Sequence, residues 1–220
     1  MEQARTPQGK DVRSKLLDAA LTLIRRQGFA ATSVDEICRA AGVTKGAFFH
    51  HFRSKEDLGV AAAAHFGLLA DALFSEDWTR LADPAERVLG YVALRRDMID
   101  GPFEEFTCLL GTMAQEVYAT SPAIRAACEA GITGHALRLA ADIGRALAAA
   151  GRNEESPESL ALHVQSVLQG GFILAKATGD PEAARRSVDH LARYLRVLFR
   201  RENRDRRANP EQGRGKEDDP

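Results

Sequence analysis

Three observations predict an all-α fold. The composition is alanine- and leucine-rich, 45% hydrophobic and 28% charged, with few β-branched runs. Apolar residues recur at helical spacing in one segment after another. Ser, Thr and Asp caps and Gly or Pro breakers fall at the segment ends. A chain of 220 residues can bury a substantial core, as one large domain or as a small one docked on a larger.

Residues 1–10 lack periodicity and read as a flexible arm carrying Arg5 and Lys10. From Asp11, the positions Val12, Leu16, Ala19, Ala20, Leu23 and Ile24 lie on one helical face, and Gly28 ends that helix. Ser33 followed by Glu36 is a capping-box signature for a second helix with Val34, Ile37 and Ala41 as its apolar stripe. Gly42 lets the backbone turn, and Thr44 caps a third helix, Lys45 to Phe52. Ser54 and Asp57 repeat the cap pattern and open a longer fourth helix through Leu58, Ala62, Phe66 and Leu69.

The remainder is punctuated as clearly. Asp83-Pro84 starts a helix that Gly101-Pro102 breaks; the next is expected over Phe103 to Tyr118. Ser121-Pro122 opens a long helix to Ala149 or Ala150, and Pro157 begins one carrying Val164, Val167, Leu168 and Phe172. Asp180-Pro181 precedes a last helix with Leu191, Leu195 and Leu198. These segments give about nine helices. The last two are apolar enough to be read in two ways: they close the monomer core, or they form half of an intermolecular four-helix bundle. Residues 201–220 alternate in charge without apolar spacing and read as a disordered tail.

Composition also excludes several classes. There is no signal-peptide core and no run of 18 apolar residues, so a cytoplasmic chain without membrane contact is expected. Cys38, Cys108 and Cys128 are an odd number without C-x-x-C spacing, which suits neither a disulfide framework nor a Cys-rich zinc site. The six histidines form no H-E-x-x-H, and no nucleophile elbow, phosphate loop or dinucleotide fingerprint is present. Neither a catalytic site, a metal nor a cofactor is expected. The net charge of −1 conceals an asymmetry: residues 1–55 hold ten Lys/Arg against five Asp/Glu, a balance of +5 set against −6 for the rest. A basic first quarter on an acidic body points to a polyanion as partner of the first segment.

The basic segment contains the two short helices hinged at Gly42, residues 33–52. Ala47, Phe48 and Phe52 can face inward there while Lys45, Phe49, His50 and His51 face out, which suits a reading head for a DNA groove. The same residues would also serve as a plain bend with all three phenylalanines in the core.

Residues 12–60 resemble the DNA-binding domain of the tetracycline-repressor (TetR) family. The likeness is carried by G-F-x-x-T-S-V at Gly28 to Val34, then Ile37, A-G-V-T-K-G-A-F-F-H-H-F at Ala41 to Phe52, and S-K-E-D-L at Ser54 to Leu58. It implies a three-helix helix-turn-helix DNA-binding domain over residues 11–57 and a helical ligand-binding and dimerisation domain over 58–200. Carried onto this chain, it places Thr32, Thr44, Lys45, His51 and Lys55 near phosphates and Ala47 and His50 near base edges, with Ser33 and Gly46 beside them. Phe49 departs from the family, in which that position is commonly tyrosine; phenylalanine has no hydroxyl to offer a phosphate.

The resemblance further implies a homodimer joined by the last two helices, with Val164, Val167, Leu168, Phe172, Leu191, Leu195 and Leu198 at the interface. The implied function is a repressor that binds a palindromic double-stranded DNA operator and is released by a small molecule. The segment from Thr107 to Val117 with Ser121-Pro122 to Arg125 is similar to a subgroup with C-L-x-G-x-x-A-x-E, some of whose members sense electrophiles or oxidants. Cys108, flanked by Phe106 and Met113, is the corresponding sensor candidate, and Cys38 and Cys128 read as packing residues. Two readings of other classes stay open at this stage: a helical ligand-binding protein or enzyme without DNA binding, and a nucleic-acid-associated structural protein.

Overall fold

The computed structural model describes residues 11–73 and 80–200. Among them are eleven α-helices and no strand: α1 Val12–Gln27, α2 Val34–Ala41, α3 Lys45–His51, α4 Lys55–Leu73, α5 Pro84–Asp97, α6 Phe103–Phe106, α7 Leu109–Val117, α8 Pro122–Leu137, α9 Ala140–Ala150, α10 Pro157–Thr178 and α11 Glu182–Leu198. The expected arm, 1–10, and tail, 201–220, lie outside the described residues.

Local chemistry accounts for the helix starts. Asp11, Ser33, Thr44, Asp83, Ser121 and Ser156 each accept a hydrogen bond from a first-turn amide, and Ser33 with Glu36 closes the full capping box. Each such cap contributes about 1 kcal/mol. Gly42 adopts the left-handed conformation (φ 66°), which lets the Val43 amide return to the Cys38 carbonyl and redirect the chain into α3.

Eleven helices replace the expected nine because two long segments are divided. Phe103 to Tyr118 breaks at Thr107 and Cys108, both extended, between α6 and α7. The segment after Ser121 bends at Arg138 and Leu139, between α8 and α9. Neither break has a Gly or Pro at it. Both occur where the chain passes from one hydrophobic core to the other.

The first core joins α1–α4 to α7 and α8 through Leu16, Ile24, Phe48, Leu58, Met113 and Ile124. The second joins α5, α9, α10 and α11 through Tyr91, Ile143, Leu168, Phe172, Val188 and Leu195. Phe106 belongs to the second and Leu109 to the first, so the two extended residues between them are what the crossing requires. The N-terminal helices therefore share their core with the body, and that core runs past residue 58 to Ala62 and Ala63 of α4.

Polar contacts fix the same junction. Glu116, in α7, accepts from the Ala30 amide at 2.8 Å, and its carboxylate occupies the space that a side chain on Gly28 (φ 91°) would need. Lys176, in α10, donates to the Arg25 carbonyl at 2.9 Å, where α1 ends. Arg25 in turn donates to the Glu105 carbonyl at 3.3 Å, and Ser121 hydrogen-bonds Glu56.

Candidate DNA-reading head and ligand cavity

The α2–α3 unit is held from inside by Ile37, Cys38, Phe48 and Phe52, all buried. Phe48 packs edge-on against Phe49 at 5.2 Å, which leaves Phe49 53% exposed on the outer face. Lys45, Gly46, His50 and His51 are exposed beside it, and Ala47 is half-buried. Lys45 pairs with Asp35 at 3.0 Å across the turn, an exposed contact weak enough to exchange for another anion. Ser33 and Thr44 are at the surface, with their hydroxyl oxygens accepting from the Glu36 and Ala47 amides.

Two of the expected phosphate ligands face inward instead. Thr32 is buried and donates its hydroxyl to the Gly28 carbonyl at 2.6 Å. Lys55 gives its ammonium to the carbonyls of Phe29, Ala30 and Thr32 at 2.9, 3.3 and 3.0 Å, over the Phe29 ring. Both side chains fasten the α1–α2 turn, supplying donors to the carbonyls of Gly28, Ala30 and Thr32 and a second donor to that of Phe29, which also accepts from the Thr32 amide.

A cavity of about 190 Å³ lies where the two cores meet, walled by α1, α4, α5, α8, α10 and the α6–α7 junction. Its apolar wall includes Phe66, Leu69, Leu73, Leu110 and Ile132. Arg25, Arg95, Arg138, His135, Gln165 and Gln169 supply its polar groups. Sequence reasoning missed all of these, because they come from six helices and have no common spacing.

His135 is the hub of the polar part. Arg138 donates to its Nδ1 at 2.9 Å, so the one proton of the neutral ring sits on Nε2, 2.8 Å from the Tyr91 hydroxyl. Gln165 donates to the same hydroxyl at 3.0 Å. Burial first, then Arg95 and Arg138, push the His135 pKa down to about 4, against a smaller opposing effect of Asp71.

Cys108 and Phe106 do line the cavity. Cys108 is half-buried and forms the N-cap of α7, its sulfur accepting from the Gly111 amide at 3.5 Å. Met113 is not part of that lining: it is fully buried in the first core. Burial raises the thiol pKa of Cys38, and that of Cys128 to about 11, as befits packing residues. No group of three metal-ligating side chains occurs among the described residues.

The expected interface residues need a further correction. Val164, Leu168, Phe172, Leu191, Leu195 and Leu198 are buried within the chain's own second core, and Val167 packs against it. The outer face of α10 and α11 instead displays Leu162, Ile173, Leu174, Tyr194 and Val197, each 41–60% exposed. His163 and Tyr194 meet edge-on across the two helices at 5.8 Å. The apolar stripe read from the sequence was the inward half of each amphipathic helix.

Residues 16–62 match the family model "Bacterial regulatory proteins, tetR family", and residues 84–190 match "Transcriptional regulator LmrA/YxaF-like, C-terminal domain". The chain belongs to the TetR family. This TetR-family transcriptional regulator is 26% identical to the uncharacterized HTH-type regulator YxaF of Bacillus subtilis, over 77% of the chain and 87% of YxaF. It is 29% identical to the transcriptional regulator AcuR of Cereibacter sphaeroides, over 80% of the chain and 81% of AcuR. Among solved structures, the regulatory protein TetR from Rhodobacter sphaeroides superposes with a TM-score of 0.71 at 25% identity, covering 83% and 98% of the two chains. The reduced form of Escherichia coli NemR does so with 0.64 at 25%, covering 82% and 95%. These relatives are transcriptional regulators and not enzymes. No helix among the described residues is long and apolar enough to cross a membrane.

The half-buried imidazole of His135 makes the stability of this chain pH-sensitive. Unfolded, His135 takes up its proton near pH 6.5; folded, only near 4. Between those values the unfolded chain binds more protons, so stability falls as pH drops from about 6.5 to about 4 and does not fall further on this account below that. Urea unfolding at stepped pH should show this slope in the wild type and a flatter one in His135→Gln.

Proposed function

We propose that this regulator is a homodimeric repressor that reads a palindromic operator with α3 and is released by a small molecule in the central cavity. The observation that carries the reading is the outer face of α3. Lys45, Phe49, His50 and His51 stand exposed on a helix fixed from behind by the fully buried Phe48, so their positions are set by the core. Thr44, Ser33, Gly46 and Ala47 border them, and the +5 balance of the first quarter supplies attraction to phosphates. Thr32 and Lys55 act behind the face as supports.

The dimer is proposed to form through Leu162, Ile173, Tyr194 and Val197. A two-fold axis there would present two heads to two half-sites, and a ligand that favours one spacing of the heads over the other would change affinity. A thiol-sensing version is supported by one observation. Cys108 is the cysteine on the cavity wall, beside Arg25, and the other two are packed in the core.

The test is fluorescence anisotropy with DNA from upstream of the chain's own gene. Affinity should fall by at least about 100-fold between 50 and 200 mM salt as phosphate-bound counterions are released. Phe49→Tyr should tighten binding by about fivefold at every salt concentration without changing the slope, because a hydroxyl adds a hydrogen bond but no charge. Absence of binding at 50 mM salt would end the regulator reading for that DNA, and looser binding by Phe49→Tyr would remove α3 from the phosphates. Light scattering checks the interface. Wild type should give twice the 24.0 kDa chain mass and Val197→Asp the single-chain mass, with weakened DNA binding. A variant that stays dimeric would place the interface elsewhere.

A further inference from the structure

We propose that the cavity ligand is a small organic anion, a carboxylate on a short apolar body, whose oxygens lie among Arg95, Arg138 and Gln165 while its carbon skeleton lies against Phe66, Leu69 and Ile132. This deepens the regulator reading by naming the ligand class, and it rests on that reading only for its effect on DNA.

Size limits the ligand first. A cavity of about 190 Å³ is smaller than the ~300–1,000 Å³ typical of sites for drug-sized molecules. Polarity limits it next. The groups around His135 are rich in hydrogen-bond donors: two guanidiniums, and the Gln165 amide nitrogen, which donates to Tyr91. His135 offers no acceptor to a ligand, because its one unprotonated nitrogen already receives Arg138 and its N–H points to Tyr91. A guest that meets these donors must be rich in acceptors.

Charge limits it further. Arg138 is ion-paired with Asp71, and Arg95 lies over the Phe172 ring at 5.7 Å. A guanidinium has five N–H donors in a planar fork, so these engagements are compatible with a bidentate carboxylate as well. Burial first, and then the two arginines beside it, hold the imidazole neutral despite Asp71. Arg25, at the other end, is differently placed. It donates to the Leu21 and Glu105 carbonyls and faces Glu104 and Glu105, so that end is electrostatically balanced. Among the described lining residues the acidic side chain is Glu105, which stands at Arg25's end. A cationic guest would face two guanidiniums in a partly dry space, the least favourable arrangement for it.

Isothermal calorimetry on the full chain at pH 7 tests this with two matched series, benzoate, benzamide and benzylamine, and pentanoate, pentanamide and pentylamine. At least one carboxylate should bind at least tenfold tighter than its amide, with no heat from either amine. Arg95→Gln should weaken the bound carboxylate at least tenfold and Arg95→Lys less, because lysine keeps the charge but loses the fork. Circular dichroism melts establish that the variants are folded, and Arg138→Gln is the second variant if Arg95→Gln is not. An amide or amine that binds as tightly as its carboxylate overturns the proposal, as does failure of both carboxylates to bind at 10 mM. Anisotropy on the upstream DNA is run in parallel. DNA binding without carboxylate binding sinks the ligand class alone, whereas carboxylate binding without DNA binding leaves the ligand class standing and sinks the regulator reading.

Discussion

The contact on which the arrangement depends is the grip of Glu116 on the turn after α1. Its carboxylate fills the space left by Gly28 and takes the Ala30 amide, four residues before α2 begins. Lys176 holds the Arg25 carbonyl a few residues earlier, with Glu116 close enough to favour its charge against burial. The α1–α2 turn is thereby bonded to α7 and α10 as well as to its own helices. A head of four helices and about 60 residues, marginal by itself, gains from this and from the core shared with α7 and α8.

The same contact joins the two candidate sites. α7 begins at Cys108 on the cavity wall and ends next to Glu116, and α1 carries Arg25 on that wall as well as the turn that leads to α2. Nine residues of helix span about 13 Å as a rigid rod. Displacement of its first turn by the proposed guest would reach the Ala30 amide, since packed helices shift as units. Leu110 against Gly131 and Gln169 against Gly111 leave little slack at the cavity end. The geometry provides what a ligand-dependent regulator needs: one cavity and one reading head bearing on the same helix.

Much of this was legible in the sequence, where a single residue type does a single local job. Ser33 with Glu36, Thr44, Gly42 and the Asp-Pro and Ser-Pro pairs marked helix ends because caps and breakers act within one turn. The outer face of α3 was only half legible: spacing allowed Phe49 outside but equally a bend with all three phenylalanines in the core, and in the fold Phe48 and Phe52 are buried while Phe49 is exposed. What spacing could not supply was the environment beyond the helix. The breaks at Thr107–Cys108 and Arg138–Leu139 exist because the chain crosses between cores, and neither carries a local breaker. Thr32 and Lys55 have the chemistry of phosphate ligands, yet the turn's own carbonyls claim them. On α10 and α11, an apolar stripe wide enough for two faces gave no sign of which half packs inward. Leu168 does so, and Ile173 lies outside.

In the proposed dimer, two copies of α3 enter the major groove on one face of the DNA. Hydroxyl-radical footprinting of the DNA upstream of the chain's gene reads this directly. Two protected segments related by a dyad and centred one helical turn, roughly 34 Å, or a whole multiple apart are the predicted result. A single protected segment, or two whose spacing is not a whole number of turns, would contradict it.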